Sequence, residues 1–193
     1  MVKSYGPEKA MMINGGIGMA DCADGTMIES YVCSWAWKGR RQNWEQLKGV
    51  AEKYAPYIRG GGTVVALSYL GETATTVKDD AFFCFAAARL SDFIWRDYQT
   101  LGDNAATVLY KAHLRPPSTP LRAAAPGVDY RWYRDGLIVM NGTDQSASVR
   151  IPAPEQGKIR SLTDLYEARE ASLAGDRLTL SIPAQSGRVY RAR

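Results

Sequence analysis

The chain has 193 residues, 46% of them hydrophobic, and a formal net charge of +4, which indicate a globular protein of one large or two small domains. No apolar segment approaches the roughly 20 residues that a membrane-spanning helix needs, and residues 1–9 lack a signal-peptide core, so the sequence gives no location, although a longer parent could be secreted. The mild positive charge is scattered, which predicts a solvated surface and no nucleic-acid binding.

Cysteine and histidine are too sparse to predict a metal site. The three cysteines, Cys22, Cys33 and Cys84, lack metal-ligand spacing, and we interpret them as small buried hydrophobic residues. The single His113 has no second imidazole beside it and precedes two prolines in a connecting segment, so a Cys–His nucleophilic pair is the less favoured alternative. The sequence therefore predicts no metal ion and no cofactor.

The first half of the sequence alternates short apolar strands with helical patterns. After Asn43, which suits a helix cap, apolar residues recur at helical spacing until Pro56 and three glycines, which we expect to end the helix. A strand, a helix and a further strand in this order indicate a parallel βαβ unit. The predicted strands are residues 11–14, 26–30 and 63–69, with a candidate fourth at 107–110.

A second helix is predicted over residues 80–98, because its broad apolar surface is typical of a helix that is covered on most sides. Residues 115–127 begin with an Arg-Pro-Pro segment that cannot continue a helix, and we interpret them as a linker. The linker separates a first unit, residues 1–114, from a second unit, residues 128–193.

The second unit has the pattern of antiparallel strands. Asp135-Gly136 between two apolar runs is a strong hairpin signal, and further short strands follow with turn residues between them. About six short strands of this kind predict a small antiparallel β-sandwich over residues 128–193. The strands are expected at residues 129–133, 137–141, 147–151, 160–163, 177–182 and 188–191.

One carboxylate stands where a parallel sheet holds its ligands. Residues 26–28 are apolar without polar alternation, which is typical of a strand that is covered on both faces. Glu29 follows at the carboxyl end of this strand, which makes it the leading candidate for a functional residue. The alternative is a carboxylate in a structural ion pair. Asp24, just before Gly25, is interpreted as turn chemistry.

In order and spacing, these segments resemble the final portion of a bacterial TIM-barrel glycoside hydrolase with an amylase-like C-terminal β-sandwich domain. The resemblance covers nearly the whole chain, and it implies an α/β plus all-β fold in which a partial (β/α) TIM-type barrel precedes the sandwich. It rests on residues 24–29 (Asp-Gly-Thr-Met-Ile-Glu), the strand at 63–69, the helix at 81–98 and residues 130–141 (Tyr-Arg-Trp-Tyr-Arg-Asp-Gly-Leu-Ile-Val-Met-Asn).

The strand count of the first unit falls short of this fold. A complete barrel has eight strands in roughly 250 residues, whereas three or four strands are predicted here. The resemblance therefore implies that the chain is the C-terminal part of a longer enzyme, a fragment that a missing N-terminal half or a homo-oligomer completes. Because an open half-barrel has unpaired strand edges, we expect the chain alone to dimerise, to aggregate or to need that half.

For the active site, the resemblance implies a carbohydrate substrate and a catalytic carboxylate at Glu29. Hydrolysis of a glycosidic bond generally needs two carboxyl groups. Glu72, which follows the third strand, and Asp21 are weaker candidates for the second group, and the alternative is that it lies in the missing half. The resemblance leaves open whether Glu29 acts as acid, base or nucleophile.

Aromatic and polar residues near the strand ends are the candidates for sugar binding. Aromatic rings stack on the C–H faces of sugars, and an amide can bond a hydroxyl group. The competing interpretation is that these rings pack as the core of their own loop. Two functions therefore remain, a glycoside hydrolase and a non-catalytic carbohydrate-binding or interaction module. The candidates for substrate binding are Asn14, Tyr31, Trp35, Trp37, Tyr69 and Glu72.

Overall fold

A computed structural model describes residues 10–15, 18, 23–34, 40–71, 74–98, 107–112, 114–154, 159 and 161–192. Within these residues, a parallel sheet with helices is followed by two antiparallel sheets. The first part contains β1 (Met12–Asn14), β2 (Gly25–Ile28), α1 (Trp44–Arg59), β3 (Thr63–Ser68), α2 (Ala74–Leu90), β4 (Ile94–Asp97) and α3 (Thr107–Tyr110). The second part contains β5 (Arg122–Ala125), β6 (Val128–Tyr133), β7 (Gly136–Asn141), β8 (Ala147–Pro152), β9 (Ser161–Asp164), β10 (Arg169–Ser172), β11 (Arg177–Ile182) and β12 (Ser186–Ala192).

The parallel sheet has the strand order β1-β2-β3-β4, so each strand pairs with its neighbour in the sequence. Pairing of Thr26 with Val64 and of Ala66 with Trp95 fixes the register. Val64, Ala66 and Trp95 are buried in one apolar core with residues of α1 and α2. Because side chains alternate along a strand, intervening residues such as Val65 face the opposite side of the sheet. The carboxyl ends of the four strands lie at one edge.

The helix α1 begins at a capping box. The Asn43 side chain accepts the backbone N–H of Gln46 at 2.9 Å, and the Gln46 side chain accepts the backbone N–H of Asn43. Pro56, which was expected to end the helix together with the glycines, lies inside it, because a proline disturbs the turn before it and leaves the residues after it able to stay helical. The helix continues to Arg59 and stops at Gly60.

Two predictions for the end of the first part are wrong. The helix predicted over residues 80–98 is α2, which ends at Leu90, and the chain then forms the fourth parallel strand, β4. Asp92 turns the chain with a left-handed φ of 61°, and the N–H of Phe93 returns to a carbonyl of α2 at 2.8 Å. Residues 107–110 form the short helix α3 and not a strand, since a brief apolar run does not distinguish the two.

The second part contains a six-stranded sheet of order β10-β9-β12-β7-β6-β5 and a two-stranded sheet of β11 and β8. The predicted hairpin is present, with β6 and β7 paired across the turn at Arg134 and Asp135. β5 lies within residues 115–127, the predicted linker, and β10 lies where no strand is predicted. Side chains of both sheets share a second apolar core, which includes Leu137, Val139, Val149, Ile151, Leu178 and Ile182.

The helix α2 lies between the parallel sheet and the six-stranded sheet. On one side, the ring of Phe85 contacts that of Trp95 in β4, with the ring centroids 5.6 Å apart. On the other side, Gly187 of β12 approaches so closely that a Cβ at this position would lie 2.6 Å from the Cβ of Ala86. The two parts therefore share an apolar core across α2. The predicted domain boundaries stay a prediction.

Candidate functional site

Four side chains meet at the carboxyl edge of the parallel sheet, one at the end of each strand. Asn14 is the last residue of β1, and Glu29, Tyr69 and Tyr98 directly follow β2, β3 and β4. The Asn14 side-chain amide donates to Glu29 Oε2 at 3.3 Å, and the Tyr69 hydroxyl donates to Glu29 Oε1 at 2.7 Å. The rings of Tyr69 and Tyr98 lie 5.0 Å apart. We call these four residues the edge group.

The edge group holds Glu29 in its charged form. The hydrogen bond from Tyr69, and after it that from Asn14, lowers the pKa of the Glu29 carboxyl below its ordinary value, against a smaller effect of desolvation. The same hydrogen bond raises the pKa of Tyr69 to about 12, because the nearby carboxylate disfavours loss of the phenolic proton. Glu29 is therefore ionised at neutral pH, and each of its oxygens keeps a lone pair for a further donor.

Tyr98 gives the edge group an open aromatic surface. Its side chain is 68% exposed, and Tyr69 beside it is half-buried. The sequence analysis missed Tyr98, because it placed this residue in the predicted helix. The signal that would have found it is its position directly after β4, which matches the position of Tyr69 after β3. Together the two rings offer apolar faces next to a carboxylate.

Tyr31 lies elsewhere than predicted. It is 1% exposed, its ring packs edge-on against Phe93 at 5.1 Å, and its hydroxyl lies 2.9 Å from Ser91 Oγ. The left-handed backbone at Ser30, with a φ of 60°, turns the chain inward at this point. The ring therefore belongs to the core and has no face available to a ligand.

Several predicted residues fall outside the described residues. These are Trp35, Trp37 and Glu72 among the candidates for substrate binding, and Asp21, Cys22 and His113 among the others. Asp24 is described, and its carboxylate accepts the backbone N–H of Met11 at 3.0 Å, which ties β1 to the start of β2. This structural contact agrees with the interpretation of Asp24 as a residue of the turn.

The alternative to a functional role was that Glu29 forms a structural ion pair. Among the described residues, Glu29 has hydrogen-bond partners but no ion pair. Asp97, at the end of β4, lies on the helix side of the sheet. It is buried and accepts the Tyr110 hydroxyl at 2.7 Å, and this burial raises its pKa. Asp80 is also buried, beside Arg41 at 3.4 Å. Both carboxylates are committed to contacts within the fold.

The two described cysteines are buried, as predicted. Cys33 and Cys84 have their Sγ atoms 3.5 Å apart, and burial raises the pKa of the Cys84 thiol well above its ordinary value. A protonated, buried thiol is a poor nucleophile. In the part of the chain that the structure describes, acidic, histidine and cysteine side chains form no group arranged for a metal ion, and no helix is long and apolar enough to cross a membrane.

Comparison with family models and with curated proteins gives no match, whereas comparison with solved structures does. The chain is similar to a GH27 β-L-arabinopyranosidase from Geobacillus stearothermophilus, at 10% identity and a TM-score of 0.63, over 95% of this chain and 50% of that one. It is similar to an α-amylase from Geobacillus thermoleovorans, at 14% identity and a TM-score of 0.57, over 99% and 55%. It is also similar to α-galactosidase I from Mortierella vinacea, at 15% identity and a TM-score of 0.52, over 90% and 54%.

These similarities define the class of fold. The chain has a glycoside-hydrolase-like fold, so the resemblance stated from the sequence is confirmed at the level of the fold. The protein spans about half the length of the structures that it matches. At this level of identity the similarity carries the arrangement of helices and strands, and the chemistry has to be argued from the edge group.

Proposed function

We propose that the protein provides part of a glycoside hydrolase that acts on a polysaccharide or oligosaccharide, with Glu29 as one of two catalytic carboxyl groups. The observation that carries this proposal is the edge group itself. Glu29 is an exposed, ionised carboxylate at the carboxyl edge of parallel strands, where this kind of sheet binds its ligands, and it lies beside the rings of Tyr69 and Tyr98. The glycoside-hydrolase-like fold supports the same conclusion.

Glu29 acts in its charged form. The lowered pKa suits a group that attacks the anomeric carbon or takes a proton from the attacking water. The oxygen of the leaving group needs a proton from a second carboxyl group, one whose pKa is raised. Tyr69 is a poor donor for that step, since a pKa of about 12 holds its proton. Glu72 and a carboxyl from strands that complete the sheet are the proposed sources.

The sugar lies against the aromatic rings of the edge group. Tyr69 and Tyr98 stack on the C–H faces of the ring, and the Asn14 amide, which holds Glu29 Oε2, also reaches a sugar hydroxyl. Trp35 and Trp37, in the segment after β2, stay proposed contributors to the same surface. Stacking rings together with a few fixed polar groups are the usual composition of such a site.

The architecture follows from the same proposal. The four parallel strands form part of a (β/α) barrel, and the two antiparallel sheets form a small β-sandwich across their shared core. Further strands complete the barrel, either from a longer polypeptide of which this chain is the C-terminal part or from a second chain. The completed barrel supplies the walls of the active site.

A non-catalytic carbohydrate-binding module is the second candidate function. It is favoured by one observation, that Glu29 is the only carboxylate in the edge group among the described residues. A single carboxylate with stacking rings can bind a sugar without hydrolysing it. In that case the edge group recognises the sugar, and Glu29 accepts hydrogen bonds from its hydroxyl groups.

One pair of variants tests the proposal. Glu29→Gln keeps the size of the side chain but removes its charge, and Glu52→Gln makes the same change at an exposed position of α1. Both variants are made in the protein whose barrel is complete, and hydrolysis of a panel of polysaccharides and binding of the derived oligosaccharides by calorimetry are measured. For an enzyme, we expect Glu29→Gln to lower turnover by a factor of about 10² or more while sugar affinity changes little, and Glu52→Gln to resemble the wild type.

The other outcomes separate the candidates. Sugar binding by the wild type without hydrolysis supports the binding module. Hydrolysis that is unchanged in Glu29→Gln contradicts the catalytic role of this carboxylate. A wild-type protein with a completed barrel that neither binds nor hydrolyses any sugar of the panel contradicts both functions.

A further inference from the structure

Two cysteines meet inside the core of the first part. The Sγ atoms of Cys33 and Cys84 lie 3.5 Å apart, although the two residues are 51 positions apart in the sequence. Both side chains are buried in the apolar core that the parallel sheet shares with α1 and α2, and both thiols are free. The proposed glycoside hydrolase activity uses neither of them, so their contact needs an explanation of its own.

The backbone on each side of this pair is held in place. Cys84 lies within α2, which packs between two sheets. The Cys33 carbonyl accepts the N–H of Tyr69 at 3.1 Å, and Cys33 also forms an isolated β-bridge with Arg41. An S–H group is only a weak hydrogen-bond donor. The main-chain hydrogen bonds and the packing of α2 therefore keep the two sulfur atoms in contact.

We infer that Cys33 and Cys84 become joined by a disulfide bond when the protein folds under oxidising conditions. An S–S bond is about 2.05 Å long, so sulfur atoms that already touch need to approach by a further distance of about 1.5 Å. Rotation of both side chains about their Cα–Cβ bonds can supply this approach while the main chain stays hydrogen-bonded. The bond then replaces the contact between the two thiols within the same core.

The reaction is an exchange with a low-molecular-weight disulfide such as oxidised glutathione. The thiolate of one cysteine attacks this reagent and releases one glutathione thiolate, and the second cysteine then attacks the protein-side sulfur and releases the other. One S–S bond breaks and one forms, and the two thiol protons pass to the two glutathione molecules. Because both cysteines are buried in the folded protein, the exchange takes place during folding, while the thiols are accessible.

The disulfide bond anchors the segment that follows Glu29 to α2. This segment lies beside the end of β3, where the N–H of Tyr31 donates to the Leu67 carbonyl at 3.0 Å and the Cys33 carbonyl accepts the N–H of Tyr69. The Tyr69 hydroxyl in turn donates to Glu29, so the bond fixes the backbone next to the edge group. A disulfide that closes a long loop also lowers the entropy of the unfolded chain. We therefore expect the oxidised protein to be more stable than the reduced one.

Peptide mapping tests the bond without any substrate. The protein whose barrel is complete is unfolded and reduced, and it is then refolded either with oxidised glutathione or with dithiothreitol. Free thiols are alkylated, and trypsin together with a glutamate-specific protease separates the three cysteines into residues 10–29, 30–38 and 79–89. After oxidative refolding, we expect residues 30–38 to be joined to residues 79–89, with the first peptide outside the pair. After refolding with dithiothreitol, all three peptides should be alkylated.

Urea titration then tests whether the native packing accommodates the bond. The oxidised wild type should have a higher urea midpoint than the reduced wild type. Cys33→Ala should have one midpoint under both conditions, whereas Cys22→Ala, the matched control, should keep the difference. Far-UV circular dichroism verifies that each sample is folded.

Several results would overturn the inference. These are alkylation of both Cys33 and Cys84 after oxidative refolding, a bond from either of them to Cys22, and a bond between two chains. A Cys33–Cys84 bond that fails to raise the urea midpoint would overturn it as well. Sugar hydrolysis enters none of these measurements, so the disulfide bond and the proposed function stand or fall separately.

Discussion

At the scale of single residues, the donors around Glu29 keep its carboxyl charged to a lower pH than that of an ordinary glutamate. Tyr69→Phe removes the donor to Oε1, so the pKa of Glu29 should rise towards its ordinary value. Because Glu29 acts in its ionised form, the Tyr69→Phe variant should lose activity at a higher pH than the wild type as the solution is acidified. The acid limb of the pH profile of kcat/KM measures this shift. Tyr57→Phe, whose hydroxyl bonds the Ala23 carbonyl instead, is the control.

The role of Tyr69 in lowering the pKa of Glu29 is contradicted if the acid limb of the Tyr69→Phe profile coincides with that of the wild type. It is contradicted likewise if that limb lies at lower pH. The direction of the change separates an electrostatic role of Tyr69 from a purely structural one, because misfolding lowers activity at every pH. The pH at which activity is lost therefore tests whether Glu29 acts in its charged form, whatever the size of kcat.

Asp129 is a second residue with a measurable role. It is 7% exposed and accepts the indole N–H of Trp44 at 2.6 Å and the ammonium of Lys48 at 3.1 Å. Asp129→Ala leaves the buried indole without an acceptor, and we expect the free energy of unfolding to fall by about 3 kcal/mol. Urea titration measures this change. Asp176→Ala is the control, because the Asp176 side chain is 88% exposed, and it should change the urea midpoint little. Equal midpoints for the two variants would contradict the stabilising role of Asp129.

At the scale of elements, the contact of α2 with β12 depends on Gly187. A Cβ at this position would lie 2.6 Å from both the Cβ of Ala86 and the carbonyl oxygen of Phe82, and backbone atoms cannot yield cheaply. Gly187→Ala should therefore destabilise the protein by about 1 to 3 kcal/mol. Thermal unfolding gives the measurement.

The matched control for this contact is Gly49→Ala. Gly49 lies within α1, and a Cβ there meets no atom within 4 Å. Because alanine is the better helix former, this variant should be stabilised by up to about 1 kcal/mol. A Gly187→Ala protein as stable as the wild type would mean that α2 and β12 are less tightly packed than described.

The elements that sequence patterns predicted are those with strong local signals. The parallel strands β1 to β3 are short apolar runs, and the β6–β7 hairpin has an Asp-Gly turn. The end of α2 was missed, because the turn there uses Asp92 in a left-handed conformation where glycine is the usual signal. β10 was missed because Arg-Glu-Ala-Ser has no apolar alternation, and its place is set by pairing with β9.

The candidate site was predictable where it depends on strand ends. Glu29, Tyr69 and Asn14 were found in this way, since a parallel sheet brings the ends of its strands together. Tyr98 was missed with the boundary of α2. Tyr31 follows a strand too, but it is buried among residues distant in the sequence, such as Phe93 and Ser91, the latter 60 residues away. Contacts at such separation leave no local pattern.

At the scale of the whole molecule, the shared core across α2 joins the two parts. Trp44 of α1 bonds Asp129 of β6, Arg131 bonds Asp92 at 2.6 Å, and the hydroxyl of Tyr133 donates to a carbonyl of α2. The protein should therefore unfold in one cooperative transition, seen at the same urea concentration by far-UV circular dichroism and by tryptophan fluorescence. Two separated transitions would show that the parts are stable independently.

The position of α2 has a consequence for evolution. Every residue from 80 to 88 is buried, because one sheet packs on each side of the helix. An aligned set of relatives should therefore show the slowest substitution in this stretch, slower than in the exposed edge group, which can change with the sugar. Positions 86 and 187 should both stay small in every lineage, because each occupies the space that a larger residue at the other would need.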